Sequence, residues 1–387
     1  MIPREQIVTR KAPERAVLVA VDTGKDQRWT SEVSIAELAE LAKSAGAEIA
    51  GKVVQRLPNP HKVHYIGKGK LEELQALKET LKYDLVIVDD ELTPLQQENL
   101  DETLQVKVID RVALILDIFA RRARTHEGQL QVELAQYEYL LPRLAGRWTH
   151  LERLGAGIGT RGPGESQLET DRRLIRRRID KLKERLETVR KHRMLYREKR
   201  RRSGIPIVAL VGYTNAGKST LFNALSRSDV MAKDELFSTL DPTTRRLTLP
   251  DKNVVLITDT VGFIRKLPPT IVTAFRATLE ELTEASLLVH VVDLTSSYAP
   301  EQCDTVEDIL AKLNLADMPR ITALNKIDVL LKSEQRWDEK KALDYVADRC
   351  EVTEPNTVVV SAVKKWGLNK LMEMISSLVP RAAGESV

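Results

Sequence analysis

The sequence predicts an α/β protein in three parts. These are an N-terminal α/β domain with a parallel sheet over residues 1–120, an antiparallel helical hairpin over 121–204, and a second α/β domain over 205–387. In the first part apolar strands alternate with amphipathic helices, which is typical of a parallel sheet. In the second part apolar residues recur every three or four positions, as on one face of a helix. In the third part a buried strand leads through a glycine-rich loop into a helix.

The N-terminal part follows a strand–helix alternation. We predict Ser34 as the N-cap of its first helix and Gly46 as the end of that helix, because hydroxyl groups cap helix starts and glycine accommodates the turn after the last residue. Thr93 is the predicted cap of the third helix, with Pro94 in the first turn. Strands are expected at 15–22, 47–55, 83–91 and 105–110, and helices at 34–46, 70–81 and 93–104.

The middle part carries two apolar stripes with a 4-3-4-3 spacing. One comprises Leu130, Leu134, Tyr137, Leu141 and Leu144, and the other comprises Ile175, Ile179, Leu182, Leu186 and Val189. This spacing repeats every 3.5 residues and is typical of paired helices. Each stripe is too narrow to stabilise a lone helix, so we predict that helices over 128–146 and 172–202 pair in antiparallel fashion. Pro142 is expected to kink the first helix or end it early.

Positive charge is concentrated in the second helix of this pair. Between Arg172 and Arg202 there are 16 Lys or Arg residues and 4 Asp or Glu residues, a net charge of +12 in a chain whose total is +4. The remainder of the chain is therefore acidic. A strongly basic element in an acidic protein indicates a polyanionic partner. We expect no DNA partner.

The segment GIGTRGPGE (157–165) joins the two predicted helices. Its Gly-x-Gly-x-x-Gly spacing matches a dinucleotide-binding loop, but no strand pattern precedes it, and Pro163 and Gly164 argue against a helix that begins there. We interpret it as the tip of the hairpin, where glycines allow close approach to a surface. Arginines and an aromatic near the tip can contact phosphates and stack on bases, namely Arg147, Trp148, Arg153 and Arg161. A disordered surface loop is the alternative.

The second glycine-rich segment, GYTNAGKST (212–220), fits the phosphate-binding pattern G-x-x-x-x-G-K-[ST]. A predicted strand (205–212) precedes it and a predicted helix (218–226) follows. Backbone N–H groups from Thr214 to Ser219 are expected to surround phosphate oxygens, with Lys218 reaching the β- and γ-phosphates and Ser219 binding Mg²⁺.

Three shorter motifs follow at predicted strand ends, in the order typical of guanine-nucleotide proteins. Asp259-x-x-Gly262 offers a carboxylate for the magnesium shell and an N–H for the γ-phosphate. Asn325-Lys326-x-Asp328 places a carboxylate that suits the N1–H and N2–H donors of guanine. The N–H of Ala362, in VVVSAV (358–363), can reach the guanine carbonyl. Together the four motifs predict a GTPase rather than an ATPase.

These motifs resemble those of the HflX family of ribosome-associated GTPases. The resemblance covers almost the whole chain and is strongest in GIGTRGPGESQLETDRR (157–173), GYTNAGKSTLFNAL (212–225), FSTLDPTTRRL (237–247) and DTVGFIRKLP (259–268). It implies an N-terminal α/β domain, a helical linker, a C-terminal P-loop GTPase domain, binding to the large ribosomal subunit and its RNA, and splitting or rescue of stalled ribosomes. The extra C-terminal domain of some members is not expected, because seven residues follow the last predicted helix (367–380).

The resemblance also assigns a switch segment, in which Thr239 would complete the magnesium shell. By chemistry alone Thr243 and Thr244 are rival candidates. The predicted metal ligands are therefore Ser219, Thr239 and Asp259, and Lys218 and Gly262 are predicted to act in catalysis. The full predicted GTP/GDP site comprises Gly212, Tyr213, Thr214, Asn215, Ala216, Gly217, Lys218, Ser219, Thr220, Phe237, Ser238, Thr239, Leu240, Asp241, Asp259, Thr260, Val261, Gly262, Asn325, Lys326, Ile327, Asp328, Ser361, Ala362 and Val363.

Two features of this site bear on its rate. Phe263 and Ile264 follow the Asp-x-x-Gly motif, where many regulatory GTPases have a glutamine that orients the attacking water. Hydrolysis is therefore expected to be slow until a partner completes the site. Asn215 makes K⁺ a further candidate cofactor beside Mg²⁺, and a residue merely tolerated in a turn is the alternative.

Two other functions stay open on the sequence. YIGKGK (65–70) offers glycines and lysines before a helix, so an RNA-remodelling enzyme with a second nucleotide site in the N-terminal domain is one. A GTP-dependent switch that recruits a protein is the other. No membrane span or secretory signal is predicted, and Cys303 and Cys350 fit no disulfide or metal pattern. The expected form is a cytoplasmic monomer.

Overall fold

A computed structural model describes residues 13–25, 28–155, 163–202, 204–226, 236–237, 239–266, 271, 281–331, 337–347 and 355–380, with backbone alone at 145–155, 163–168 and 196–202. Contacts divide the chain into two compact units. One unit is Met1–Asp117 with Ala145–Gly155, and the other is Ile118–Leu144 with Ala156–Val387. The boundaries near 120 and 204 stay predictions. No helix in the described ranges has both the length and the apolar character of a membrane span.

The first unit contains a four-stranded sheet in the order β2-β1-β3-β4, with every pairing parallel, as predicted. Val17, Val19, Val86 and Val88 form its centre, because strands covered on both faces are apolar along their length. The elements are β1 (Arg15–Asp22), α1 (Ser31–Ser44), β2 (Glu48–Arg56), α2 (Lys68–Leu81), β3 (Leu85–Val88), α3 (Pro94–Leu104) and β4 (Lys107–Asp110).

The helix caps of this unit follow the predictions with one exception. Thr93 caps α3 in a reciprocal arrangement with Gln96, and Pro94 opens the helix. Ser34 is not the cap of α1, because Thr30 stands in extended conformation one turn earlier and its hydroxyl accepts from the N–H of Val33. The Ser34 hydroxyl is buried instead and donates to the carboxylate of Asp89. Capping by Thr30 therefore starts the helix one turn earlier than predicted.

Three helices follow: α4 (Arg111–Arg122), α5 (His126–Gly155) and α6 (Pro163–Arg202). The two predicted apolar stripes, except Leu144, form one cluster, which confirms the pairing of α5 and α6. Its members are Leu130, Leu134, Tyr137, Leu141, Ile175, Ile179, Leu182, Leu186 and Val189. Glu127 at the start of α5 pairs with Arg193 late in α6, whereas Glu138 pairs with the earlier Lys183. This reversed order is that of antiparallel helices.

Of the two outcomes predicted for Pro142, an early end of the helix does not occur, because α5 continues to Gly155. A kink at Pro142 stays a prediction. A proline inside a helix costs about 3 kcal/mol, and the apolar contacts between α5 and α6 offset this cost. The expectation that Pro163 and Gly164 prevent a helix is wrong, because α6 begins at Pro163. The first turn of a helix needs no N–H partner, so proline fits there. The tip loop itself, 156–162, including Arg161, lies outside the described residues.

The rest of the second unit is built on a six-stranded sheet in the order β10-β9-β8-β5-β7-β6. All pairings are parallel except β6–β7, which is antiparallel. The elements are β5 (Ile207–Val211), α7 (Lys218–Ser226), β6 (Thr243–Thr248), β7 (Val254–Asp259), β8 (Leu287–Asp293), α8 (Ala299–Lys312), β9 (Arg320–Asn325), α9 (Ile327–Leu330), α10 (Glu339–Ala347), β10 (Thr357–Val359) and α11 (Leu368–Leu378). The carboxyl ends of β5, β7, β9 and β10 carry the four predicted motifs to one edge of the sheet.

Candidate nucleotide site

A cavity of about 590 Å³ lies at that edge. Fifteen of the predicted site residues line it: Thr214, Asn215, Gly217, Lys218, Ser219, Thr220, Phe237, Thr239, Thr260, Gly262, Asn325, Lys326, Asp328, Ala362 and Val363. Thr295 and Val329 also line the cavity and were not predicted. Thr295 follows β8, so the rule that adjacent parallel strands bring their carboxyl ends together is the signal that would have found it.

The glycine-rich loop after β5 folds tightly against the guanine-motif side of the cavity. Gly217 has φ of 91°, and a Cβ there would lie 2.3 Å from Nδ2 of Asn325. That Asn325 amide donates to the carbonyl of Ala216 at 2.9 Å, and its Oδ1 accepts from the N–H of Ala362 at 3.0 Å. Asn325 therefore joins the glycine-rich loop to the β10 motif. A side chain at 217 would break this connection.

Lys218 lies buried at the centre of the loop. Its Nζ donates to the carbonyls of Gly212 at 3.1 Å and Tyr213 at 2.7 Å. Burial lowers the pKa of Lys218 to about 8, with Asp259 acting in the opposite direction and Lys326 lowering it further. A desolvated ammonium with this depressed pKa would be stabilised by an anion, and phosphate is the anion that the surrounding loop geometry suits.

A proton-uptake prediction follows from the pKa of Lys218. Its charged form is lost as the pH rises through about 8, and phosphate favours that form. Between about pH 7 and about pH 8.5 we expect GDP affinity to fall roughly fourfold and binding to take up a proton. Calorimetric titration at about pH 8.5 in two buffers of different ionisation enthalpy measures the uptake. Equal binding heats in the two buffers, with constant affinity, would contradict the assignment.

Three oxygen-bearing side chains meet beside Lys218. The Ser219 and Thr239 hydroxyls lie 2.8 Å apart, and Thr239 Oγ1 donates to Asp259 Oδ2 at 2.7 Å. Burial raises the pKa of Asp259, while hydrogen bonds from Ser219 and Thr239 oppose the shift. Oδ1 of Asp259 is buried and has no hydrogen-bond partner among the residues that the structure describes. Two hydroxyls and a carboxylate with an unused oxygen fit Mg²⁺, which prefers hard oxygen ligands.

The structure also separates Thr239 from its rivals. Thr243 and Thr244 lie in β6, paired in register with Asp259 and Thr258 of β7. The Thr244 hydroxyl is 2.9 Å from that of Thr258. Thr239 alone of the three is hydrogen-bonded to Asp259 among the described contacts, so the position assigned by resemblance is the one that the fold brings to the candidate metal site.

The base-recognition motifs are held by neighbouring side chains. Ser361 Oγ donates to Asp328 Oδ1 at 2.6 Å, and Lys326 Nζ lies 2.8 Å from Asp293 Oδ2. Asp328 lines the cavity and its carboxylate is fixed in orientation by Ser361. The N–H of Ala362 donates to Asn325 here, so its contact with a guanine carbonyl stays a prediction.

One cavity-lining residue differs from its prediction: the backbone N–H of Thr214 was expected to face phosphate but donates to the carbonyl of Phe263 at 2.8 Å. The carboxylate of Asp241 accepts hydrogen bonds at the N-terminus of α5 and does not line the cavity. The other predicted site residues that do not line it are Gly212, Tyr213, Ala216, Leu240, Asp259, Val261, Ile327 and Ser361. Ser238 lies outside the described residues.

Phe263 and Ile264 are both buried, with exposed fractions of 2% and 0%. The Phe263 N–H donates to Gly212 O at 3.0 Å, so this residue fastens the Asp-x-x-Gly segment to the glycine-rich loop. Its side chain has no hydrogen-bonding group for a water. The structure therefore agrees with the inference that this position does not orient the nucleophile.

The other sequence features do not join the cavity. Tyr65 and Ile66 of YIGKGK are buried, and α2 begins at Lys68. Cys303 is a half-buried free thiol whose pKa burial raises to about 11, which makes it unreactive. Cys350 lies outside the described residues.

Comparison with known proteins decides the family. Three family models match consecutive stretches: a GTP-binding GTPase N-terminal model over 32–120, a GTP-binding GTPase middle-region model over 122–200, and a 50S ribosome-binding GTPase model over 207–326. The GTPase HflX of Caldanaerobacter subterraneus subsp. tengcongensis is 51% identical over 364 residues, which is 94% of this chain and 80% of that protein. The chain belongs to the HflX family of GTPases.

Another HflX relative is also similar over nearly the whole chain. The GTPase HflX of Escherichia coli K12 is 44% identical over 374 residues, 97% of this chain and 84% of that protein. A solved structure of a GTP-binding protein from Sulfolobus solfataricus in complex with GDP is 27% identical, covers 94% of this chain and 98% of that one, and has a TM-score of 0.46. As a member of the HflX family the chain is a P-loop GTPase that binds and hydrolyses GTP.

Proposed function

We propose that this HflX GTPase binds the large ribosomal subunit through ribosomal RNA and splits or rescues stalled ribosomes in a cycle driven by GTP. The observation that carries the proposal is the antiparallel α5–α6 pair, whose second helix holds the basic segment 172–202 in the same compact unit as the nucleotide cavity. The 50S ribosome-binding description of the model that matches residues 207–326 supports it.

The cavity residues have distinct roles in hydrolysis. Lys218 would place its ammonium against the β- and γ-phosphates, and the Gly262 N–H would contact the γ-phosphate. Ser219, Thr239 and Asp259 would hold Mg²⁺, which neutralises charge on the phosphates when bound. Asp328 would read guanine, and Lys326 would cover it. Asn215 lines the cavity and remains the proposed K⁺ ligand.

The helical pair is joined to the nucleotide domain by an ion pair beyond the Asp-x-x-Gly motif in sequence. Arg193 of α6 is held between two carboxylates: Glu127 of α5, at 2.9 Å, and Glu281, which follows that motif in sequence. Burial disfavours the charged guanidinium, yet the two carboxylates outweigh it and raise the pKa of Arg193. A charge network of this kind fixes the direction in which α6 leaves the nucleotide domain. Movement of the Glu281 segment would then be transmitted to the basic helix.

Exposed basic side chains on α6 provide the surface for RNA. Arg173, Arg177 and Lys181 follow one another at a spacing of four residues and are all exposed, so they share one face of the helix. Neutralisation of phosphates by such a face releases counterions and makes binding depend strongly on salt. The solvated charged helix of a protein without an RNA partner would show no such dependence.

Ribosome-stimulated hydrolysis is the first expected result. Because Phe263 and Ile264 offer no group to orient water, hydrolysis by the protein alone should be slow. Large ribosomal subunits are expected to raise kcat by a factor on the order of 10³, which a completed GTPase site can supply. Multiple-turnover phosphate release with and without subunits measures this. A fast intrinsic rate that ribosomes leave unchanged would contradict the proposal.

Sedimentation tests the function itself. Intact ribosomes are layered on a sucrose gradient with the protein and GTP, a non-hydrolysable analogue or GDP. We expect co-sedimentation with the large subunit and loss of the intact ribosome peak with the analogue, and neither with GDP. Intact ribosomes in all three gradients, with the protein remaining at the top of each, would reject ribosome binding. A cytoplasmic, monomeric protein is part of this proposal, and the same gradient reports the free protein's size.

A further inference from the structure

The carboxylate of Asp241 lies two residues beyond Thr239 and is bound at the start of α5. Its Oδ2 accepts from the backbone N–H groups of Arg124 at 2.7 Å and Thr125 at 2.8 Å. Its Oδ1 accepts from the Thr125 hydroxyl at 2.5 Å. Three donors on one carboxylate make a directional contact, and hydrogen bonds to a charged acceptor are about twice as strong as neutral ones.

Thr125 links this contact to the helix itself. Its hydroxyl oxygen accepts from the N–H of Gly128 at 3.0 Å, the pattern of an N-cap for α5. The same hydroxyl donates its proton to Asp241. A negative charge at a helix N-terminus is also favoured by the helix dipole. Asp241 therefore completes the first turn of α5 from a distant part of the chain.

The close approach of Asp241 requires glycine at position 128. A Cβ at Gly128 would lie 2.2 Å from Oδ1 of Asp241. No side chain fits while the carboxylate stays in place, so the first turn of α5 is shaped to receive it. Gly128 is buried in the structure, which agrees with this tight packing.

A second anchor lies on the other side of Thr239. Phe237 is 2% exposed and has φ of 57°, a conformation that costs energy for an aromatic residue. Its ring packs edge-on against Phe119 of α4, with centroids 4.9 Å apart and planes at 84°. Phe237 thus contacts α4 and Asp241 contacts α5, and Thr239, which lies between these two residues in sequence, is hydrogen-bonded to Ser219 and Asp259.

We propose that Asp241 is a positioning residue for GTP hydrolysis: by docking on Thr125 and Gly128 it holds the Thr239 hydroxyl at the metal-binding oxygens. This inference rests on the magnesium site proposed above. Because coupling between two contacts is reciprocal, a filled metal site also strengthens the docking of Asp241 on α5. The contact between Asp241 and Thr125 therefore couples the helical pair to the proposed metal site.

The test compares three substitutions with two matched controls. Asp241→Asn removes the charge, Gly128→Ala expels the carboxylate, and Thr125→Val removes the hydroxyl, whereas Thr125→Ser retains it. Thr93→Val removes the N-cap of α3, a comparable helix cap in the other compact unit. For each full-length variant, kcat and KM for GTP are measured across a Mg²⁺ titration, together with the midpoint of thermal unfolding.

We expect Asp241→Asn and Gly128→Ala to lower kcat about tenfold and to raise the half-saturating Mg²⁺ concentration about tenfold, with KM for GTP changed less than about twofold, as the loss of one charge-assisted contact predicts. Thr125→Val should change kcat and the half-saturating Mg²⁺ concentration in the same directions but by smaller factors. Thr125→Ser and Thr93→Val should match the wild type in both quantities.

Two outcomes overturn different claims. Should Asp241→Asn lower the unfolding midpoint as Thr93→Val does while kcat and Mg²⁺ dependence stay at the wild-type values, Asp241 is a helix cap only and the inference fails. Should the wild type itself hydrolyse GTP independently of Mg²⁺, the proposed metal site fails before the variants are compared.

Discussion

Replacement of Thr239 by valine is expected to lower kcat for GTP hydrolysis by a factor on the order of a hundred. The substitution removes a hydroxyl that lies 2.8 Å from Ser219 and donates to Asp259 at 2.7 Å, and leaves a side chain of similar shape. A metal with one ligand fewer stabilises phosphate charge less well, and loss of one such electrostatic contact commonly costs two to three orders of magnitude, about 10²–10³ in rate.

The rival threonines are the controls for this experiment. Thr243→Val and Thr244→Val should leave kcat within about twofold of the wild type, because both lie in β6 and Thr244 is bonded to Thr258. Multiple-turnover hydrolysis at saturating GTP, with thermal unfolding as a check on folding, compares all three. The assignment is wrong if Thr239→Val retains the wild-type rate and either β6 variant loses it.

Reversal of charge on α6 has the second large expected effect. The triple variant Arg173→Glu, Arg177→Glu and Lys181→Glu should weaken binding to large ribosomal subunits by roughly a hundredfold at physiological salt, and the slope of log affinity against log salt should become shallower by about 2 to 3. These side chains are exposed and stand away from the apolar stripe of Ile175, Ile179 and Leu182. GDP affinity should therefore stay at the wild-type value.

A matched variant separates local from overall charge. Lys312→Glu, Lys340→Glu and Lys370→Glu reverse three exposed lysines outside the helical pair and change the net charge by the same amount. Filter binding or sedimentation over a range of salt concentrations gives both slopes. If the two triple variants weaken binding equally, only net charge matters. If neither weakens it, α6 does not contact RNA.

Local pattern was enough to predict most elements of the fold. Apolar strands such as 15–22 and the 4-3-4-3 stripes of α5 and α6 predicted the parallel sheet and the paired helices, because side chains at those spacings share one face of the element. The errors lie where two local signals competed. At Pro163 a residue that usually breaks helices occupies the first turn of α6, and at Ser34 a usable cap was preceded by Thr30.

The location of the nucleotide site was also predictable from the sequence, because the order of parallel strands decides which loops meet. Four motifs at the ends of parallel strands reach one edge of the sheet, and most of their residues line one cavity. The hydrogen-bond partners of individual backbone groups were not predictable. The Thr214 N–H donates to the carbonyl of Phe263, and the Ala362 N–H donates to the side chain of Asn325. Neighbouring loops satisfy each other's backbone groups once they are packed together.

The sequence by itself determined that this chain has a parallel α/β unit, a basic antiparallel helical pair and a guanine-nucleotide site, since each depends on spacing or on a short motif. Only the tertiary structure decided which threonine meets Asp259, how far burial lowers the pKa of Lys218, and that Asp241 docks on Thr125, 116 residues away in the chain. Such contacts depend on distances between segments far apart in sequence, and no local periodicity records those distances.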